Sequence, residues 1–266
     1  MAQQTRGTVG RCAICGREGA LTFEHVPPKS AFNETGVLLQ TLDQIMREET
    51  PRRTKGVGRF SLCGRCNNRT GSVYGTEFVA WCKEAVRFWD ALERVRSESK
   101  VTFSAFTYPL RVGKQILVMF ATVNGPGWFE RNPALRKLVQ DKETRGLPDS
   151  YHCYLYLASG PRSFRWTGFV SSGDLHNNSF STFSEFCYPP FGYVICAESE
   201  PPHESMRNID DLFRYGFGER AEVSLELPIL PVESYLPGDY RTAEQIDDHL
   251  RRQGIDPTTY DGWERY

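Results

Sequence analysis

Apolar side chains recur at helical spacing in several parts of the chain, with polar side chains on the opposite face. Residues 111–121 follow Pro109, which is favourable in a first helical turn, and residues 242–253 lie between Thr242 and Gly254, a capping pair. The pattern predicts helices over residues 36–49, 73–96, 111–121, 132–144 and 242–253.

Shorter stretches rich in β-branched and aromatic residues are separated by Gly, Pro and Asn, which is typical of strands and turns. These predicted strands are His152–Ala158, Arg165–Ser171, Glu185–Tyr188, Tyr193–Glu198 and Val223–Leu227. We therefore expect an α+β fold with an N-terminal domain over residues 1–100 and an α+β domain over residues 101–266 that contains an antiparallel sheet.

The composition is that of a globular chain, with 39% hydrophobic and 13% aromatic residues among 266. Charge is distributed unevenly, because residues 1–100 carry 16 Lys and Arg against 11 Asp and Glu, whereas the remainder carries 16 against 22. No stretch is long and apolar enough for a membrane span, and the start lacks the pattern of an export signal. A cytoplasmic protein that does not bind a membrane is expected.

Four of the eight cysteines form two Cys-x-x-Cys pairs, Cys12/Cys15 and Cys63/Cys66. A two-residue gap lets both thiolates of a pair face one ion, and two pairs complete the four ligands of a tetrahedral zinc site. The interval of 47 residues between the pairs requires a folded insertion, and the predicted helix over residues 36–49 would supply part of it. Structural zinc is the expected cofactor.

A short motif lies between and beside these cysteines. Glu24-His25 follows an apolar stretch and precedes Val-Pro-Pro, which should end a strand directly after the histidine, and Asn67 follows Cys66. In this order the motif resembles the HNH endonucleases, the zinc-knuckle branch of the ββα-metal nucleases. The resemblance covers about residues 10–80, so residues 101–266 have no recognised family.

The resemblance implies metal-dependent hydrolysis of phosphodiester bonds in nucleic acid, with double-stranded DNA the expected substrate and RNA the other. It makes His25 the general base, and Glu24 and Asn67 the ligands of one catalytic Mg²⁺ or Mn²⁺. These residue types suit the roles, because a neutral imidazole can accept a proton from water and hard cations prefer oxygen ligands. Asn68 is an alternative to Asn67.

The chain departs from the HNH pattern at two places. The acid is Glu24 where Asp is more common, and the asparagine that usually orients the histidine loop is missing about five residues before Cys63, where Gly58 and Arg59 stand. Arg59 or a backbone carbonyl could take over that orienting role.

Basic residues near the motif are candidates for binding phosphate, although charged loops are often only solvated surface. They are Lys29, Arg52, Arg53, Lys55, Arg59 and Arg69. Residues 101–266 are expected to recognise a target, a partner protein or a small ligand, or to restrain the nuclease, and chains of this type resemble parts of bacterial defence or mobile-element systems. The alternatives are a non-catalytic zinc-knuckle binding module and a regulatory partner of a separate nuclease.

Overall fold

The computed structural model of the chain describes residues 8–34, 36–39, 52–88, 99–159, 165–174, 179–234 and 236–258. These residues form two compact units. The first combines Met1–Lys83, Thr107–Pro148 and Leu212–Ala221, and the second combines Glu84–Phe106, Asp149–Asp211 and Glu222–Tyr266. The chain enters each unit more than once, whereas the sequence-based prediction divides it into the contiguous ranges 1–100 and 101–266.

The first unit begins with a three-stranded antiparallel sheet in the order β1-β2-β5, made of β1 (Val9–Arg11), β2 (Glu18–His25) and β5 (Gly58–Cys63). Strand β2 ends at His25, as predicted from the prolines that follow it. The pairing of β2 with β5 places His25 opposite Gly58 and Leu21 opposite Cys63. The histidine and the second cysteine pair therefore lie at opposite ends of the same strand pair.

The insertion between the cysteine pairs contains a two-stranded ribbon, β3 (Gly36–Leu39) with β4 (Arg52–Lys55). The prediction of a helix over residues 36–49 is thus wrong at its start. A short apolar run is compatible with a helix or with a strand, and residues 36–39 form a strand because they pair with β4. Residues 40–49 lie outside the described residues.

Helical structure begins directly after Cys63. Helix α1 (Gly64–Thr70) continues through a π-helical segment (Gly71–Gly75) into α2 (Thr76–Glu84) and a 3₁₀ turn (Ala85–Phe88). The helix predicted over residues 73–96 is confirmed as far as Phe88, and its remainder lies outside the described residues. Tyr74, Phe78 and Trp81 are buried, which supports their interpretation as core residues.

Three further helices complete the first unit: α3 (Pro109–Asn124), α4 (Pro126–Arg131) and α5 (Pro133–Gln140). Helix α3 is buried along nearly its whole length, from Leu110 to Val123. It begins at Pro109, in agreement with the sequence-based prediction. Helix α5 falls within the predicted range 132–144.

The second unit is built on a seven-stranded sheet, with the path β6-β12-β7-β10-β9-β8 and β11 beside β7. Its strands are β6 (Ser99–Thr107), β7 (Tyr151–Ser159), β8 (Arg165–Asp174), β9 (Ser179–Tyr188), β10 (Phe191–Ala197), β11 (Arg207–Asn208) and β12 (Ala221–Pro231). The five predicted strands are confirmed. The sheet is mixed, however, because β12 pairs with β7 in parallel, so the prediction of an antiparallel sheet is correct only in part.

The last helix, α6 (Ala243–Arg252), starts at the predicted capping box. The Thr242 side chain accepts a hydrogen bond from the Gln245 amide, and the Gln245 side chain accepts one from the Thr242 amide. Among the helices that the structure describes, none is long and apolar enough to cross a bilayer.

Candidate metal centre and adjoining cavity

The four cysteines of the two pairs converge on one point. Their sulfur atoms all lie within 4.8 Å of one another, and Cys15 Sγ and Cys63 Sγ are 3.9 Å apart. Zinc–sulfur bonds of about 2.3 Å in a tetrahedron place neighbouring sulfurs about 3.8 Å apart, so the spacing fits zinc. Within the described parts of the chain, this is the only group of three or more Cys, His, Asp or Glu residues placed to hold an ion.

The thiols of the cluster differ in their acidity. The hydrogen bond with Cys12 raises the pKa of the Cys66 thiol, and burial raises the pKa of the Cys15 thiol, whereas a bound zinc ion would favour the thiolate form of all four. A hydrogen bond from Cys66 lowers the pKa of the Cys12 thiol to about 4. The local backbone supports this geometry, because Gly16 adopts φ 74° at the first cysteine turn and the Ala13 amide donates to the Ser61 carbonyl over 2.8 Å. The turn that carries Cys12 and Cys15 is thereby attached to β5.

A cavity of about 650 Å³ adjoins β2 and the helix that follows the second cysteine pair. Three predicted site residues line it: Glu24 and His25 from the end of β2, and Asn67 from α1. Asn68 is exposed and is not among the lining residues. The first of the two rival asparagines is therefore the one that faces the cavity.

His25 is held at the cavity by backbone contacts. Burial, followed by the positive charge of Lys29, lowers the pKa of the imidazole, whereas a hydrogen bond to the Lys55 main chain raises it. A bond that favours the protonated ring is one that the ring donates, so the other ring nitrogen is left as a proton acceptor. At neutral pH the lowered pKa keeps the ring in the neutral form that a general base needs.

Glu24 is 7% exposed, and burial raises the pKa of its carboxyl group to about 7. No described basic side chain forms an ion pair with it. A nearby divalent cation would favour the ionised form, and the carboxylate would then be a hard oxygen ligand.

The orientation of the Asn67 amide follows from its neighbours. Thr22 Oγ1 donates its hydrogen to the Leu62 carbonyl over 2.8 Å, so it can only accept from Asn67 Nδ2, which lies 2.9 Å away. The amide nitrogen is thus directed at β2, which leaves Oδ1 as the available acceptor. This arrangement suits Asn67 as an oxygen ligand.

The structure also identifies a residue that the sequence analysis missed. Asn33 is fully buried, and its Nδ2 donates to the carbonyls of Pro27 and Val57, each over 2.7 Å. Its Oδ1 accepts from the Val57 amide over 2.6 Å. Asn33 therefore connects the loop after His25 with the start of β5, the orienting role for which the sequence offered no asparagine near Gly58.

Gly56 is required beside this asparagine. Its φ is 75°, and a Cβ there would lie 2.4 Å from the Asn33 carbonyl oxygen and 3.1 Å from His25 Cδ2. No residue with a side chain fits this position without displacing the histidine loop.

Among the predicted phosphate-binding residues whose side chains the structure describes, only Lys29 lines the cavity. Arg69 donates to the Gln140 carbonyl over 2.6 Å, and Arg59 donates to the Val123 carbonyl over 3.4 Å, so both have structural partners. Arg52, Arg53 and Lys55 lie in β4. The sequence analysis did not single out Lys83 and Gln115, which line the cavity from α2 and α3. Lys83 lies in the helix predicted over residues 73–96, so helical spacing could have placed it near the site. Gln115 lies on another helix, and no sequence pattern connects it with the motif.

Comparison with known proteins gives no further guide: no protein-family model, curated protein or solved structure matches this chain. The functional argument therefore depends on the residues of the site.

Proposed function

We propose that the protein is a metal-dependent endonuclease of the HNH type, which hydrolyses phosphodiester bonds in nucleic acid, with double-stranded DNA as the expected substrate. One observation carries the proposal: Glu24, His25 and Asn67, which the motif nominates, line a single cavity, and Asn67 directly follows Cys66 of the four-cysteine cluster. Glu24 and His25 are adjacent in the sequence, whereas Asn67 follows the second cysteine pair.

Each residue has a role that its environment supports. His25 is neutral at physiological pH and takes a proton from the attacking water. Glu24 and Asn67 would hold Mg²⁺ or Mn²⁺, which when bound supplies positive charge to the scissile phosphate and the leaving oxygen. Lys29 and Lys83 also line the cavity, and their charges favour an anionic substrate.

The zinc cluster has a structural role in this proposal. Cys63 and Cys66 flank the junction of β5 and α1, so zinc would fix both the strand that pairs with β2 and the helix that carries Asn67. Loss of zinc should disorganise the site, whereas loss of the catalytic cation should stop the reaction without unfolding the protein.

The test is cleavage of supercoiled plasmid by wild-type protein, His25→Ala and His249→Ala, each in Mg²⁺, in Mn²⁺ and without added metal. His249→Ala is the matched control, because that histidine is exposed on α6. We expect metal-dependent cleavage by wild type and His249→Ala, and a loss of roughly a hundredfold or more in His25→Ala. Zinc content, measured on the same preparations, should be equal in all three.

Two outcomes would contradict the proposal. Equal cleavage by His25→Ala would mean that another centre or a contaminant cuts the plasmid. Absence of cleavage by folded, zinc-loaded wild type, on plasmid and on RNA, would favour the alternatives: a zinc-knuckle binding module or a regulatory partner of a separate nuclease. Binding of nucleic acid without cleavage distinguishes the first of these from the second.

A further inference from the structure

A buried amide on the cavity wall has an unsatisfied acceptor. Gln115, on α3, is 1% exposed and lines the same cavity as Glu24, His25 and Asn67. Its Oε1 is buried and has no hydrogen-bond partner in the described part of the chain. Burying an acceptor without a partner destabilises a protein, so the fold alone gives no reason for a polar group here.

Two glycines in a helical segment of the same cavity wall also lower the stability of the fold. Gly71 and Gly75 bound the π-helical segment and line the cavity one turn apart. Gly71 has helical dihedral angles, φ −58° and ψ −43°, and a Cβ there would meet nothing within 4 Å. Neither backbone conformation nor packing requires glycine at this position, although glycine weakens a helix. Its effect is to leave helix backbone bare towards the cavity.

The two features are neighbours. A Cβ at Gly75 would lie 3.7 Å from Gln115 Oε1, so the bare helix face leads to the unsatisfied acceptor. π-Helical segments often occur at functional sites, and this one follows the helix that carries Asn67 and ends at Gly75, which faces Gln115. The buried acceptor lies behind the bare helix face, so a ligand that reaches it past Gly75 could donate the missing hydrogen bond.

We propose that Gln115, Gly71 and Gly75 form the floor of the substrate site, where Gln115 Oε1 accepts a hydrogen bond from an N–H or O–H group of the bound nucleic acid. This inference rests on the proposed function. Phosphate oxygens offer no hydrogen to this acceptor, so the donor is a base amino or imino group or a ribose 2′-hydroxyl. Gln115 is thus a substrate-positioning residue that the HNH motif does not include.

The test separates a ligand-binding role from a packing role by measuring affinity and stability together. Gln115→Met keeps the length of the side chain and removes the acceptor, and Gly71→Leu adds a side chain at a position that lines the cavity and where a Cβ meets nothing within 4 Å. Thr122→Val is the control, because Thr122 is buried on the same helix, is not a lining residue, and accepts from Ser61 Oγ over 3.2 Å.

All variants are made in full-length His25→Ala protein, so that substrate is not consumed, and binding is measured by fluorescence anisotropy in Mg²⁺. The probes are DNA and RNA duplexes and single strands of one sequence. We expect Gln115→Met to weaken binding roughly fivefold to tenfold, the effect of one hydrogen bond, and Gly71→Leu to weaken it at least as much. Neither should lower the thermal unfolding midpoint, whereas Thr122→Val should lower the midpoint and leave affinity unchanged.

The probes identify the donor. Loss of affinity for RNA alone would assign Gln115 to the 2′-hydroxyl, and loss for both nucleic acids would assign it to a base. Unchanged affinity in Gln115→Met, or weaker binding accompanied by a lower midpoint, would overturn the inference and leave the proposed function intact. Absence of binding by the His25→Ala parent to every probe would overturn both proposals.

Discussion

At the scale of single residues, the position of His25 depends on a side chain that has no place in the chemistry. Asn33 makes three hydrogen bonds, one to the Pro27 carbonyl and two to the backbone of Val57. Pro27 lies in the loop after His25, and Val57 directly precedes β5. Replacement by an apolar side chain of similar size would remove all three bonds. The Pro27 carbonyl and the Val57 amide would lose the partner that Asn33 provides, whereas the Val57 carbonyl would keep the hydrogen bond from the Val26 amide over 2.9 Å. The role of Asn33 is thus positional, and its loss should affect stability and activity together.

We expect Asn33→Leu to lower the free energy of unfolding by about 3 kcal/mol, at roughly 1 kcal/mol for each lost bond. Urea denaturation measures this change, and plasmid cleavage should fall in the fraction that remains folded. Asn68→Ala is the control, because Asn68 is exposed and does not line the cavity. If Asn33→Leu were as stable as Asn68→Ala, the connecting role of Asn33 would be wrong.

Lys114 gives a prediction on pH. Its Nζ donates to the carbonyls of Asp141 and Lys142 over 2.7 and 2.8 Å, and burial lowers its pKa to about 8. Between pH 8 and the unfolded pKa of about 10.4, the unfolded chain binds more protons at this group than the folded chain does. The contribution of Lys114 to the free energy of unfolding should therefore rise with pH in this window.

The measurement is the difference in unfolding free energy between wild type and Lys114→Met at several pH values from 7 to about 10.5. Because both proteins share all other titrating groups, the difference isolates Lys114. The unfolding free energy of wild type should increase relative to that of Lys114→Met as the pH rises. A difference that is constant with pH would mean that the pKa is not lowered.

At the scale of elements, the sequence predicted those helices whose ends are determined by interactions between neighbouring residues. The capping box at Thr242 and the proline at the start of α3 act within one helical turn, and both helices occur as expected. Strand β6 and the parallel pairing of β12 with β7 depend on partners far along the chain, and periodicity does not contain that information. The predicted helix at residues 36–39 is wrong for the same reason.

The residues of the candidate site also fall into two groups, those that neighbouring residues in the sequence predict and those that only the folded structure brings together. The end of β2 at His25 and the cysteine spacing could be derived from adjacent residues, because prolines and zinc ligands impose local constraints. Asn33 and Gln115 could not, because each acts through groups that only the folded chain brings near: Val57 for Asn33, and the glycine wall for Gln115. The resemblance to the HNH motif thus nominated the proposed reacting groups and did not include the residues proposed to position them.

The junction of β5 and α1 gives a prediction for an element. Cys66→Ser should remove a zinc ligand and lower both zinc content and thermal stability, because the junction and the turn at Cys12 lose their common centre. Cys82→Ala is the control, since Cys82 is buried on α2 and belongs to no cysteine cluster in the described residues. It should retain one zinc per chain. Equal zinc content in both variants would show that the cluster is not the metal site.

At the scale of the whole molecule, each unit contains one cluster whose disruption should destabilise it. The first contains the cysteine cluster, whereas the second contains a buried ion pair between Arg165 and Glu185, 3.0 Å apart. Tyr156 and Tyr240 donate to Glu185 over 2.5 and 2.8 Å, and Arg165 also donates to the carbonyls of Ser234, Leu236 and Asp239. Removing one partner of such an ion pair typically lowers the free energy of unfolding by about 3–5 kcal/mol, because the charge of the other partner stays buried without compensation.

Zinc removal and Glu185→Ala should therefore destabilise different parts of the chain. Hydrogen exchange with mass spectrometry can follow both. Chelation of zinc should raise exchange in peptides from residues 8–34 and 58–83, whereas Glu185→Ala should raise it in peptides from residues 151–159 and 179–197. The control is Glu244→Ala, an exposed position on α6, which should change neither set. If each perturbation raised exchange equally in both sets, the two units would unfold as one cooperative structure, and zinc would stabilise the whole chain rather than the first unit alone.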